Sequence, residues 1–188
     1  MSDNDFIKKE SAREESFEGL LAVVKKRAEE LGVKTILVAS TKGDTGVKVA
    51  EAFRGYNVVV VTHSTGFAVP DAQELTSGNR ERILRVGGKI LTTTHAFGGM
   101  GRAIRRKFGG YQSDEIIANV LRIFGQGVKV AVEIAIMAAD AGLISVKDDV
   151  ISIGGTGRGA DTALVLRPAN VQDFFDVKVR EVICKPWL

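Results

Sequence analysis

A chain of 188 residues with a hydrophobic fraction of 45% is long enough for one domain with a sizeable core and short for two. Its 26 basic and 23 acidic residues leave a net charge of +3, too mild a balance to announce a nucleic-acid partner. A single cysteine, Cys184, excludes an internal disulfide and any thiolate-rich metal site. The start, "MSDNDFIKKESA", lacks the apolar core of a signal peptide, and no apolar run reaches membrane-spanning length. The expectation is a soluble cytoplasmic protein of one domain over residues 1–188, with residues 1–12 a candidate for disorder.

Ser16 is a candidate cap for a helix through "FEGLLAVVKKRAEEL", where Phe17, Leu20, Leu21, Val24, Ala28 and Leu31 recur at helical spacing before Gly32. "KTILVAS" follows as a strand whose continuous apolar run suits a parallel strand covered on both faces. A helix through "TGVKVAEAFRG", a strand in "NVVVVTH", a helix within "PDAQELTSGNRERILRVGG" and a strand in "KILTTT" continue the alternation, so the class is α/β. Next come a glycine-rich turn with a short basic helix, "HAFGGMGRAIRRKFGG", and the helices "SDEIIANVLRIF" and "GQGVKVAVEIAIMAADAGLI", the second apolar nearly all round and hence buried. "DDVISIGG" and "TALVLRP" are joined by "TGRGAD", too short for a crossover helix, so they pair antiparallel. "VKVREVICK" alternates like an edge strand, with Cys184 a packing residue in it.

Two loops carry candidate chemistry. In "ILVASTKGDTG", Ser40, Thr41 and Thr45 offer hydroxyls and Lys42 a charge. Gly43 and Gly46 allow close backbone approach, and the helix that starts beyond them adds free N–H groups and a positive dipole end. This is either an anion site, suited to a phosphate, or a polar turn with a helix cap; it is not a P-loop, since G-x-x-x-x-G-K-[ST] is missing. The second loop, "IGGTGRGADT", has Gly154, Gly155, Thr156, Gly157 and Gly159, with Arg158 as a forked donor. Its spacing is not G-x-G-x-x-G, and a glycine-rich hairpin needs no ligand.

These residues, in this order, resemble the C-terminal domain of pyruvate kinase, which has a Thr-Lys-Ser-Gly-type loop after its first strand and a "G-D-x-V-x-x-x-G" strand leading into a glycine-rich loop. The counterparts here are residues 40–43 and "KDDVISIGGTGRGADTALVL", fed by "MAADAGLI". The likeness covers roughly residues 34–186 and is closer to small stand-alone archaeal-type members of that superfamily than to the kinase, whose barrel and metal motifs have no match. It implies a three-layer α/β/α fold with a mostly parallel sheet of order 3-2-1-4-5, strand 5 antiparallel, which sets both loops over one crevice. In the kinase that crevice takes a phosphorylated effector; stand-alone members are associated with FMN, and the family's habit of assembling implies a homo-oligomer.

The remaining candidates are weighed with that crevice in mind. Glu133 and Asp140 fall roughly on one face of the buried helix with Met137 between them. A carboxylate there must find donors, from a ligand's hydroxyls or from the loop at Thr156, and a helix-end acid such as Asp140 often ties down a neighbouring loop. "THSTGFAVP" and "TTTHAFGGMG" contribute His63, Thr65, Gly66, Phe67, Thr94, His95, Phe97 and Gly98, a mix able to wall a flat ring. His95 and Glu133 are the best candidates for an acid or base, while two histidines without an ordered carboxylate set argue poorly for metal. The basic run Arg102, Arg105, Arg106 and Lys107 is a solvated face, an attraction for anions or an RNA-binding helix. Binding of FMN is therefore the leading expectation, with a flavin-dependent oxidoreductase or a hydrolase of a phosphorylated metabolite as the rival. Trp187 and Leu188 are apolar ends that hint at assembly.

Overall fold

The computed structural model describes residues 3–157 and 159–187, with side chains from Ser16 onward; Met1, Ser2, Arg158 and Leu188 lie outside the described residues. Apolar residues on both sides of a strand require a layer on each face, and the sheet satisfies this. Strands β1 (Thr35–Ala39), β2 (Asn57–Val61), β3 (Lys89–Leu91) and β4 (Val150–Gly155) run parallel, and β5 (Ala160–Arg167) and β6 (Lys178–Cys184) are antiparallel additions. Their order, β3-β2-β1-β4-β5-β6, is the expected order with β6 added at the edge.

Along β1, Ile36 and Val38 point to one layer and Leu37 to the other. The first layer holds helices α1 (Asp3–Leu31), α2 (Asp44–Ala52) and α3 (Ser77–Arg85). The second holds α6 (Gln126–Asp140), with α5 (Ser113–Arg122) packed on it and α4 (Met100–Phe108) packed on α5. Helix α1 begins well before Ser16, so Ser16 lies inside the helix rather than capping it, and the stretch expected to be disordered is helical from Asp3. Its end is as read: Val33 N–H donates to the Ala28 carbonyl over Gly32.

Helix α6 is buried from Gly127 to Ala139 except at the partly exposed Val130, and each large apolar side chain so removed from water contributes about 1.5 to 3 kcal/mol. Its approach to the sheet is close. A Cβ on Gly154 would stand 2.2 Å from the Gly127 carbonyl oxygen, and one on Gly127 would stand 2.1 Å from Thr162 Oγ1. Ser152, fully buried in β4, donates to the Ala131 carbonyl at 2.7 Å. Asp140 accepts from Asn170 Nδ2 and Val171 N–H, so it ties down the 3-10 turn Val171–Asp176. Cys184 packs half-buried against the first layer, and burial pushes its thiol up. Trp187 is exposed. Among the described residues, no helix is long and apolar enough to cross a membrane.

Candidate functional site

Strands β1 and β4 are neighbours, yet the chain continues from β1 into a helix on one face while α6 feeds β4 from the other. Such a divergence leaves a crevice beyond the carboxyl ends of the strands, and a cleft of about 760 Å³ opens there. Ser40, Thr41, Lys42, Thr45, His63, His95, Glu133, Gly155, Thr156, Gly157 and Gly159 all line it. A second hollow of about 460 Å³ at the opposite strand ends is lined mainly by apolar and neutral groups, and Asn57 there is already bonded to Thr35 and Leu143.

The loop after β1 divides its labour. Ser40 is buried and its Oγ accepts the Gly46 N–H at 3.0 Å, serving the first turn of α2 as a cap from outside the helix. Gly43 and Gly46 do not line the cleft, and packing accounts for them better than ligand approach. A Cβ on Gly46 would meet Val60 Cγ1 at 2.5 Å, and one on Gly43, which has φ of +102°, would meet Asn79 and Leu75 at 2.6 Å. Asn79 also donates to the Lys42 carbonyl and to Asp44. With that frame fixed from behind, Thr41, the exposed Lys42 and Thr45 face the cleft.

The histidine wall is built differently from the ring-binding face expected. Phe67 stacks on His95 and packs tilted against His63, with ring centroids 4.9 and 4.0 Å away, and the Arg102 guanidinium lies over the Phe67 ring at 5.3 Å. Phe67 thus backs the histidines instead of lining the cleft. Thr65, Gly66 and Thr94 are exposed outside the lining, Gly98 leaves space for the Arg102 guanidinium, and Phe97 is a core residue against Phe174. His95 Nε2 is buried with no hydrogen-bond partner among the described residues. Burial lowers the His95 pKa, the Glu133 carboxylate opposes that shift, and His63, Lys129 and Arg102 reinforce it.

Glu133 lines the cleft but is not bonded to the loop at Thr156. One oxygen accepts the Phe97 N–H at 2.9 Å and the other the Lys129 ammonium, both side chains being about 5% exposed. Burial lowers the Lys129 pKa, and its contact with Glu133 opposes this. Lys129 sits four residues before Glu133 on an apolar helix, a spacing that itself announces such a pair.

In the second loop, Gly154 and Gly155 belong to the β4–β5 ladder, and a Cβ on Gly155 would stand 2.0 Å from the Gly159 carbonyl oxygen. Gly157 and Gly159 are its exposed backbone, Thr156 donates to Asp161, and Arg158 lies outside the described residues. Of the basic run, Arg105 pairs with Glu115 at 2.7 Å and packs on Tyr111, and Arg102 covers Phe67, which leaves Arg106 and Lys107 exposed.

Sequence reading missed Glu74 and Gln126. Gln126 opens α6 and lines the cleft. Glu74 lies in the loop ahead of α3, which starts only at Ser77 behind a Thr76 cap, and its Oε2 is 2.7 Å from His63 Nδ1. Nothing periodic links these two positions, so only the fold brings them together.

The family model "Pyruvate kinase, alpha/beta domain" matches residues 18–166. Among solved structures, the chain is similar to Cryptosporidium parvum pyruvate kinase in complex with ADP, at 15% identity and a TM-score of 0.41, over 81% of this chain and 24% of that one. A second crystal structure of a pyruvate kinase from Cryptosporidium parvum matches at 15% identity and a TM-score of 0.41, over 81% of this chain and 23% of that one. The chain thus spans about a quarter of the length of these kinases. With most of its length matched by the family model, the chain belongs to the pyruvate kinase alpha/beta domain family.

Proposed function

We propose that the cleft binds a phosphorylated small molecule, FMN, with its phosphate against Thr41, Lys42 and Thr45 and its ring toward His95. The observation that carries this reading is a cleft of about 760 Å³ whose lining combines a polar, anion-binding loop with apolar side chains, within the size range of small-molecule sites. The loop after β1 brings hydroxyls, an exposed ammonium and the start of α2, whose first N–H groups have no carbonyl partner within the helix. Val61, Val130, Ile134 and Met137 add apolar surface to the same lining, which also holds His95, whose Nε2 is unpartnered among the described residues. A flat heteroaromatic ring would meet apolar surface there and give that nitrogen its missing hydrogen bond.

Titration with FMN and with riboflavin, which lacks the phosphate, tests the reading. Lys42→Ala should weaken FMN by about 1.5 to 3 kcal/mol through loss of a charge-assisted contact and leave riboflavin almost unchanged. Equal losses for both ligands would remove the phosphate from this loop, and no uptake of either would remove the flavin.

A further inference from the structure

Adjacent parallel strands β1 and β2 are in register with Ala39 opposite Val61. Continuing both strands by two residues sets Thr41 beside His63. Thr41 Oγ1 is 3.4 Å from His63 Nε2, and His63 Nδ1 is 2.7 Å from Glu74 Oε2. A carboxylate on Nδ1 keeps the proton there and turns the Nε2 lone pair toward the threonine hydroxyl. The imidazole is further held by the Phe67 ring at 4.0 Å, and its backbone carbonyl accepts from Thr62 Oγ1 and Gln73 Nε2. Thr41, His63 and Glu74 all line the cleft. Hydroxyl, imidazole and carboxylate in hydrogen-bonded series are the parts of an activated nucleophile, recognised by geometry and not by chain order, and such contacts are often loose before substrate binds.

We propose that Thr41 is a nucleophile, His63 its general base and Glu74 the residue that positions the base, and that the cleft hydrolyses carboxylic esters through an acyl group carried on Thr41. The inference rests on the cleft being a ligand site, as proposed above; because the ester engages the same Thr41 hydroxyl as the phosphate, ester and FMN compete for the cleft. Thr41 Oγ attacks the ester carbonyl carbon as its proton passes to His63 Nε2. The tetrahedral oxyanion collapses, the bond to the alcohol oxygen breaks, and that oxygen takes the proton from Nε2. Water, deprotonated by the same nitrogen, then attacks the acyl carbon, and Thr41 Oγ leaves with the proton. Ester and water are consumed, acid and alcohol are released, and no oxidant or reductant is needed. Ser40 already satisfies the Gly46 N–H, and the oxyanion is assigned to the N–H groups of Asp44 and Thr45 in the first turn of α2, both of which line the cleft.

The test uses the full chain with p-nitrophenyl acetate, followed by mass spectrometry of the Thr41 peptide. A burst of p-nitrophenolate and an acetyl group on Thr41 are expected. Thr41→Val and His63→Ala should each lower the rate by about 10²-fold or more, whereas Thr41→Ser should still be acylated, which separates loss of the nucleophile from loss of the fold. Glu74→Gln should lower the rate and change its pH profile, with partial rescue by Glu74→Asp. A rate unaffected by Thr41→Val, or acetyl groups on lysines and none on Thr41, overturns the proposal. FMN binding measured in parallel separates the two readings. FMN bound without acylation overturns the ester reaction alone, and acylation without FMN binding supports it while counting against the flavin.

Discussion

Two walls of the cleft each carry a glutamate, and the two have opposite circumstances. On the α6 wall Glu133 is buried and both its oxygens are taken, by Lys129 and by the Phe97 N–H. On the facing wall Glu74 sits on a loop, 27% exposed at its side chain, and spends one oxygen on His63. Burial makes the first pair expensive to disturb, because a charge left behind in a dry interior cannot recover its hydration. Partial exposure leaves the second carboxylate inexpensive as structure, and the imidazole it directs has its far nitrogen toward the cleft hydroxyl. A carboxylate in a cleft is therefore better judged by what its partners leave unsatisfied than by its depth.

The largest expected effect breaks the buried pair. Lys129→Met strands the Glu133 carboxylate and should cost about 3 to 5 kcal/mol of stability. Replacing both, as Lys129→Met with Glu133→Leu, should recover most of that loss, leaving about 1 to 3 kcal/mol for the Phe97 N–H without its acceptor. Urea unfolding of the single and double variants decides it. A double variant no more stable than Lys129→Met would mean that Lys129 and Glu133 do not form a self-contained pair.

The same contrast explains what could be read beforehand. Continuous runs such as "ILVA" and "VVVV" identify strands between two layers because alternate residues feed the two cores, as Ile36 and Leu37 do. The loop after β1 was legible for the same reason: a polar cluster ending such a strand has one place to go, the carboxyl edge of the sheet. The glycines were not. A glycine that admits a ligand and one that admits a neighbouring side chain look alike in sequence, and Gly46 faces Val60 while Gly154 faces Gly127. Glu74 was hidden because its partner His63 is fixed by strand register and a loop path, neither of which leaves a periodic trace.

A smaller effect sharpens the boundary between scaffold and site within one loop. Gly46→Ala forces a Cβ to within 2.5 Å of Val60 Cγ1 and should cost about 1 to 3 kcal/mol by overpacking. Ser40→Ala removes the acceptor of the Gly46 N–H, again about 1 to 3 kcal/mol for an unsatisfied buried donor. Neither should change FMN affinity in the folded protein, and Lys42→Ala should do the converse. Melting and flavin titration on the same three variants give the answer; an affinity loss in Ser40→Ala without a stability loss would place that hydroxyl in the site.

The smallest effect concerns His95, which lies between the two walls. Its folded pKa is below the ordinary value of 6.5, chiefly because burial disfavours the imidazolium, with Glu133 opposing and His63, Lys129 and Arg102 reinforcing the shift. On acidification through 6.5 the unfolded chain takes up this proton before the folded one does. Between the two pKa values the unfolded state holds more protons, so stability falls as pH falls, and it levels off below the folded value. Above neutrality the group is uncharged in both states and contributes nothing to the slope. His95→Phe keeps a flat ring against Phe67 and removes the titration, and no hydrogen bond is lost at Nε2, which has no partner among the described residues. Unfolding free energies of wild type and variant should therefore run parallel above about pH 7.5 and diverge below about 6.5, with the variant less sensitive to acid. Parallel curves through the whole acid range would show that burial does not disfavour the charged ring, and the orphaned nitrogen would then have to be exchanging protons with solvent.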